Sequence, residues 1–148
     1  MTDDKTLLRV ENLNAWFYTE EGIVKALENV SFSVARGEIL GLVGETGCGK
    51  SVTSACIMRL IPSPPGKIIG GKILFEGEDL AQATPERMRQ IRGKDIAMIF
   101  QDPSSCLDPI RRIGSQIMEA LKLAEPDLPR AELRDRARDL LRRVGIAD

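Results

Sequence analysis

Hydrophobic positions alternate loosely along the first part of the chain: Leu8, Val10, Leu13, Trp16 and Phe17 lie in a β-rich stretch over 7–17. A polar turn, Thr19-Glu20-Glu21-Gly22, follows. The pattern then predicts a second strand over 23–27 and a third over 30–34, the last with period-two alternation. Ala35-Arg36-Gly37-Glu38 reads as a turn into an unbroken apolar run, Ile39-Leu40-Gly41-Leu42-Val43, expected to be a buried strand over 38–43. A helix is expected over 51–60, stopped by Pro62, Pro64 and Pro65. Pro62 and Pro65 also match a PxxP spacing, which is read here as a rigid surface turn. Gly70–Gly77 encloses a short strand. Thr84 and Pro85 carry the signs of an N-cap and first helical position, and Gly93 those of a stop after about Ile91 or Arg92.

Further on, Asp95-Ile96-Ala97-Met98-Ile99-Phe100 is expected to be a second buried strand, running into Gln101-Asp102-Pro103-Ser104-Ser105. Leu107-Asp108-Pro109 is a turn. Ile113, Ile117 and Leu121 recur at helical spacing and predict a helix over 113–123. The most regular helix covers 129–144, with Leu133, Ala137, Leu140, Leu141 and Val144 on one stripe. Glu132 with Arg136 and Asp139 with Arg143 are expected i,i+4 pairs. Its six arginines (Arg130, Arg134, Arg136, Arg138, Arg142, Arg143) are read as a solvated face, and Gly145 as its end.

Composition narrows the classes. The 148 residues suffice for one modest core, and 21 basic against 22 acidic residues leave a net charge of -1. That balance gives no support to a nucleic-acid partner. No apolar run approaches the length of a membrane span, and the polar start Met1-Thr2-Asp3-Asp4-Lys5 is unlike a signal peptide. Cys48, Cys56 and Cys106 form neither a metal spacing nor an even framework, which predicts a reducing, cytoplasmic setting. With no histidine in the chain, histidine-based acid/base or nucleophilic chemistry is excluded within it.

One loop carries explicit chemistry. Gly44-Glu45-Thr46-Gly47-Cys48-Gly49-Lys50-Ser51 has the Gly-x4-Gly-Lys-Ser spacing, between an apolar run and a helix. Gly44, Gly47 and Gly49 permit backbone angles and close approach that a Cβ would obstruct. Successive N–H groups can then converge on an anion at the positive end of the helix. Lys50 would place an ammonium on the β/γ-phosphates of a nucleotide, and the Ser51 hydroxyl would ligate Mg2+. At the end of the later apolar run, two readings stand. Asp102 is a Mg2+ carboxylate, or Gln101 holds Mg2+ or the attacking water; Pro103 and the loop after it favour Gln101.

Together, the late loop behind a β preface, Gly70-Gly71-Lys72-Ile73-Leu74-Phe75-Glu76-Gly77, and Ile96-Ala97-Met98-Ile99-Phe100-Gln101-Asp102-Pro103 with Leu107-Asp108-Pro109 resemble an ABC transporter ATP-binding subunit, most closely the oligopeptide/dipeptide/nickel importer branch. The resemblance covers essentially the whole chain. It implies an α/β P-loop NTPase fold: an antiparallel β subdomain and part of a parallel sheet over 1–101, then the start of a helical subdomain over 102–148. It implies that Gly44, Thr46, Gly47, Cys48, Gly49, Lys50, Ser51 and Val52 bind ATP, that Ser51 and Gln101 hold Mg2+, and that Lys50 and Gln101 serve catalysis. Phe17 would stack on adenine, with Trp16 and Tyr18 as alternatives. Thr46 stands where the family usually has serine and keeps the hydroxyl.

Implied partners are transmembrane permease subunits and a second ATP-binding subunit, with no nucleic acid and membrane association only through those partners, at the cytoplasmic face of the inner membrane. The implied function is ATP hydrolysis driving uptake of peptides or similar small solutes. The family's LSGGQ-type signature, Walker B aspartate, catalytic glutamate and switch histidine have no counterpart in this sequence. The expectation is therefore an N-terminal portion of such a subunit that hydrolyses little alone. A non-hydrolysing regulatory ATP-binding piece and a small phosphotransferase using Asp102 are the alternatives.

Overall fold

A computed structural model of the chain describes residues 5–102 and 106–146. Pro103, Ser104 and Ser105, named above after Gln101, lie outside the described residues, as do positions 1–4 and 147–148. The chain forms two compact units, Met1–Gln90 and Ile91–Asp148.

The first unit is built on an antiparallel sheet. Strand β1 (Thr6–Thr19) turns back through Glu20-Glu21 into β2 (Gly22–Ala35), and β3 (Gly66–Phe75) and β4 (Glu78–Asp79) complete the order β2-β1-β3-β4. Expected strands two and three are thus one strand. The break expected between them is an irregularity in the register, between the pairs Leu13↔Val30 and Ala15↔Leu27. Asn29 sits there with φ 58°, a left-handed conformation that asparagine tolerates. On β1, Asn12 has φ 47°, and β3 answers with Gly71 at φ 91°. Side chains satisfy the backbone where the ladder slips: Asn12 N–H donates to Ser31 Oγ at 2.8 Å, and Asn29 N–H to Asn14 Oδ1 at 3.0 Å. The composition of this stretch resembles a turn because Asn and Ser replace ladder bonds with side-chain ones.

Helix α1 (Lys50–Ile57) precedes β3, and helix α2 (Pro85–Ile91) follows β4. The start of α2 is as predicted: Arg87 N–H donates to Thr84 Oγ1 at 3.2 Å, and Pro85 needs no donor at the first position. Val10, Leu13, Ala15, Ile73, Leu80, Met88 and Cys56 are buried and form the core.

In the second unit, α3 (Ile113–Ala124) and α4 (Arg130–Arg143) pack on each other, with Leu133 and Ala137 of α4 buried. Leu140 and Val144 of the expected apolar stripe are exposed. Gln116 pins the turn before α3, accepting from Asp108 N–H at 2.9 Å and donating to Asp108 O at 3.0 Å. Arg136 pairs with Glu132 as expected, at 3.1 Å, whereas Asp139 pairs with Arg142 at 3.5 Å rather than with Arg143. The i,i+3 partner lies on the same helix face and reaches first. Gly145 (φ 80°) closes α4 in a Schellman turn: Ile146 N–H donates to Leu141 O at 3.0 Å and Gly145 N–H to Arg142 O at 2.9 Å.

Two expected strands are not formed. Over 38–43 there is no strand, and Ile39 and Val43 are each 98% exposed. Over 95–100 there is only an isolated bridge between Arg92 and Ile96, and Ile99 is 97% exposed. An interior parallel strand needs neighbours on both sides for its N–H and C=O groups and cover on both faces. Among the described residues nothing supplies them, so burial does not follow from the apolar runs.

Candidate functional site

The glycine loop lies against β2. A Cβ on Gly49 would come within 2.7 Å of Leu27 Cδ2 and 2.8 Å of Ala26 O. Gly49, at φ 94°, is also the N-cap of α1. It is therefore fixed as glycine twice over, by its left-handed backbone and by contact with β2. Gly47, at φ 88°, has open space around it and answers to backbone angle alone. Gly44 answers to proximity: its added Cβ would lie 2.6 Å from Cys48 Sγ.

Among the described residues, the backbone N–H groups of Gly47, Gly49, Lys50, Ser51 and Val52 donate to no protein acceptor, whereas Cys48 N–H donates to Glu45 O at 3.3 Å. These are the free donors of a helix N-terminus and the loop feeding it, a locally positive end. The Ser51 hydroxyl also has no partner among the described residues. Lys50 is folded back into the loop: Nζ donates to Gly44 O and Glu45 O, each at 2.6 Å, and lies 3.4 Å from Cys48 Sγ. Its ammonium is held by two carbonyls of the same loop that carries the unpartnered amides.

Thr53 was not singled out from the sequence. Its buried hydroxyl donates to Gly49 O at 2.9 Å, alongside the Thr53 N–H bond to the same carbonyl at 2.8 Å. Two donors on one carbonyl hold the N-cap residue at the angle the loop needs. Ala26 and Leu27 were likewise missed as support for the loop. A threonine four residues past a glycine N-cap was the only available signal for the first; nothing local marked the other two.

Phe17 stands opposite Val24 on one side and Gly66 on the other, with its ring packed on Gly66, where an added Cβ would be 2.9 Å from Phe17 Cε1. Val24 is three residues along β2 from Leu27, so Phe17 and the loop's contact point are separated by about 10 Å of strand. Trp16 carries the Lys25 ammonium over its ring at 5.3 Å, and Tyr18 is exposed. Gln101 and Asp102 belong to the second unit and are both exposed. The Asp102 carbonyl lies 3.7 Å from Cys106 Sγ.

Burial separates the cysteines. Desolvation pushes the Cys56 thiol up to about 11, while Cys48 and Cys106 are exposed. At pH 8 Cys56 therefore stays protonated and shielded. Iodoacetamide is expected to add two groups to the native chain and three after denaturation, read by mass; a third adduct under native conditions would contradict the burial.

A sheet-backed glycine loop with free amides at the head of a helix, in an α/β chain, defines a P-loop fold. Residues 27–148 match the family model described as ABC transporter, and the chain belongs to that family. It is 46% identical over 142 residues to a probable peptide ABC transporter ATP-binding protein, y4tR, of Sinorhizobium fredii, covering 96% of this chain and 42% of the relative. It is 47% identical over 140 residues to the oligopeptide transport ATP-binding protein OppD of Bacillus subtilis, covering 95% and 39%. It is 43% identical to the dipeptide transport ATP-binding protein DppD of Escherichia coli, covering 96% and 43%. The chain thus spans about two-fifths of these relatives' length.

Its fold matches the dimeric structure of MJ0796, a bacterial ABC transporter cassette, with a TM-score of 0.76 at 23% identity over 91% of this chain and 56% of that one. It also matches cbiO1 of Clostridium perfringens, with a TM-score of 0.62 at 26% identity over 96% and 51%. No helix among the described residues is long and apolar enough to cross a membrane.

Proposed function

We propose that the chain is the N-terminal, nucleotide-binding portion of the ATP-binding subunit of an ABC importer for peptides or similar small solutes. The observation that carries this reading is the group of unpartnered amides at Gly47 and over 49–52, in one loop with a Lys50 ammonium held only by two exposed carbonyls and near Cys48 Sγ. A polyphosphate accepts from such amides and draws Lys50 off two neutral carbonyls into charge-assisted bonds, which are roughly twice as strong. Gly44, Thr46 and Cys48 complete the loop around the phosphates. Phe17 would take the adenine, a reading supported by its separation of about 10 Å along β2 from the loop's seat.

Mg2+ fits the residues present in one way. No group of three or more acidic or cysteine ligands exists among the described residues, but the Ser51 hydroxyl is unengaged. A hard cation would thus be held by Ser51, phosphate oxygens and water, with Gln101 as a further ligand in the complete subunit. When bound it neutralises phosphate charge. In that subunit Lys50 and Gln101 serve ATP hydrolysis, residues 1–101 form the nucleotide-binding core, and residues 102–148 begin the helical subdomain that meets the permease. A second ATP-binding subunit and the transmembrane permease, reached from the cytoplasmic face, are the implied partners. The relatives' names, as peptide and dipeptide transport ATP-binding proteins, support the solute class.

The test is site-resolved. Cys48 sits in the loop and Cys106 in the other unit. ATP with Mg2+ is expected to slow alkylation of Cys48 at least roughly tenfold, at ligand well above its dissociation constant, and to leave Cys106 unchanged. Ser51→Ala should remove the part of the protection that Mg2+ adds. Unchanged Cys48 reactivity at millimolar ATP would overturn the assignment.

A further inference from the structure

Away from the glycine loop, the first unit contains a cleft of about 420 Å³ lined by Arg59, Ile61, Ser63, Lys67, Ile68 and Ala81, among others. That is within the size range of small-ligand sites. No carboxylate lines it, and the acids nearest Ala81 in sequence are engaged. Asp79 Oδ1 accepts from the Ile73 and Ala81 amides at 3.1 and 3.0 Å, and Glu78 is paired with Arg87 at 2.8 Å. Lys67 has no ion pair or hydrogen bond from its side chain among the described residues. Two cationic side chains thus line one open, largely polar concavity, with Ile61, Ile68 and Ala81 along part of its wall.

Arg59 is held there against its backbone preference. It follows the C-cap of α1 at φ 49°, in a Schellman turn where Leu60 N–H donates to Ala55 O at 2.8 Å and Arg59 N–H to Cys56 O at 2.9 Å. Glycine is the unstrained residue at that position. Arginine supplies instead a guanidinium pinned beside the cleft by its Nη1 bond to Ala83 O. Strain kept at a cleft-lining residue points to a task for its side chain.

We propose that this cleft is a second anion site, separate from the glycine loop, which takes a small organic dianion: a phosphomonoester or a dicarboxylate with a short apolar body. Arg59 and Lys67 hold the charges, Ser63 adds a hydroxyl, and the isoleucines and Ala81 take the carbon skeleton. A planar guanidinium suits either oxyanion, and the ammonium adapts to both.

The experiment is amide-resolved NMR of the 148-residue chain, titrated with inorganic phosphate, with succinate and with chloride at matched ionic strength. The amides of Ile61, Ser63, Gly66, Lys67, Ile68 and Ala81 should shift saturably with one or both dianions and not with chloride. Tighter phosphate binding assigns the phosphomonoester class, and tighter succinate binding the dicarboxylate class. Lys67→Gln should weaken the response roughly tenfold. Arg59→Gly should weaken it similarly while relieving the left-handed strain, so that folding is kept. The glycine-loop amides over 44–52 report separately: Lys50→Ala should diminish their phosphate response and leave that of 61–68. No saturable shift at 61–68, an equal response to chloride, or an unchanged response in Lys67→Gln would each overturn the proposal, whatever the glycine loop does.

Discussion

Gly71→Ala is expected to leave most of the chain without a cooperative unfolding transition. An added Cβ would lie 2.4 Å from Asn12 O, 2.5 Å from Glu11 O and 2.6 Å from Asn12 C. These are backbone atoms, so no rotamer change can make room. They also belong to β1, which is paired on both sides in the order β2-β1-β3-β4. Moving it disturbs the bonds that replace the ladder at the bulge, from Asn12 to Ser31 and from Asn29 to Asn14. Strain at φ 91° adds to the clash. Together they amount to about 4 kcal/mol, at the diagnostic end of single-residue effects and comparable with the whole stability of a small domain. Gly77→Ala is the matched control: φ is 86° and nothing lies within 4 Å of the added methyl. It should cost only about 1–2 kcal/mol, the left-handed strain alone. Urea unfolding followed by Trp16 fluorescence measures both. Equal midpoints for the two variants would show that the approach of β1 to Gly71 is not as close as described.

The same bend marks where the sequence could be read and where it could not. Signals that act within one turn were legible: Thr84-Pro85 starts α2 and Gly145 ends α4, whereas the helix expected over 51–60 is Lys50–Ile57, closed by the turn at Arg59 before the prolines are reached. Each rests on a local hydrogen bond or a backbone angle. The irregularity of β2 at Asn29 looks like a gap between strands because its repair comes from Asn14, across the sheet, as Asn12 on β1 is repaired from Ser31. The loop's chemistry was legible in its spacing, yet its seat on Ala26 and Leu27 was not, since that contact joins segments far apart in sequence. Ile39, Val43 and Ile99 show the opposite limit. Hydrophobicity records what a residue gains from burial, and only a neighbouring strand can provide it. Gln101 stands in the unit other than the loop's, so its part in the site rests on its place in the motif rather than on geometry.

Lys50→Ala is expected to weaken ATP binding at least roughly a hundredfold, the loss of one or two charge-assisted bonds to phosphate, with little change in stability. The two effects separate because of where the ammonium rests. Its present partners, Gly44 O and Glu45 O, belong to exposed residues, so water can replace it at both carbonyls. The backbone of the loop is fixed by other means: Gly49 on β2, and Thr53 on the Gly49 carbonyl. Removing Lys50 therefore empties the charge from a cradle that keeps its shape. Arginine should not restore binding, because the planar guanidinium is wider than an ammonium and the loop offers a point-charge position. ATP titration of the two variants, with urea midpoints for each, tests the argument. Lost affinity with an unchanged midpoint fits it. A Lys50→Ala variant that binds ATP as tightly as the parent would place the phosphates elsewhere, and a loss of cooperative unfolding like that expected of Gly71→Ala would make Lys50 a structural clamp instead.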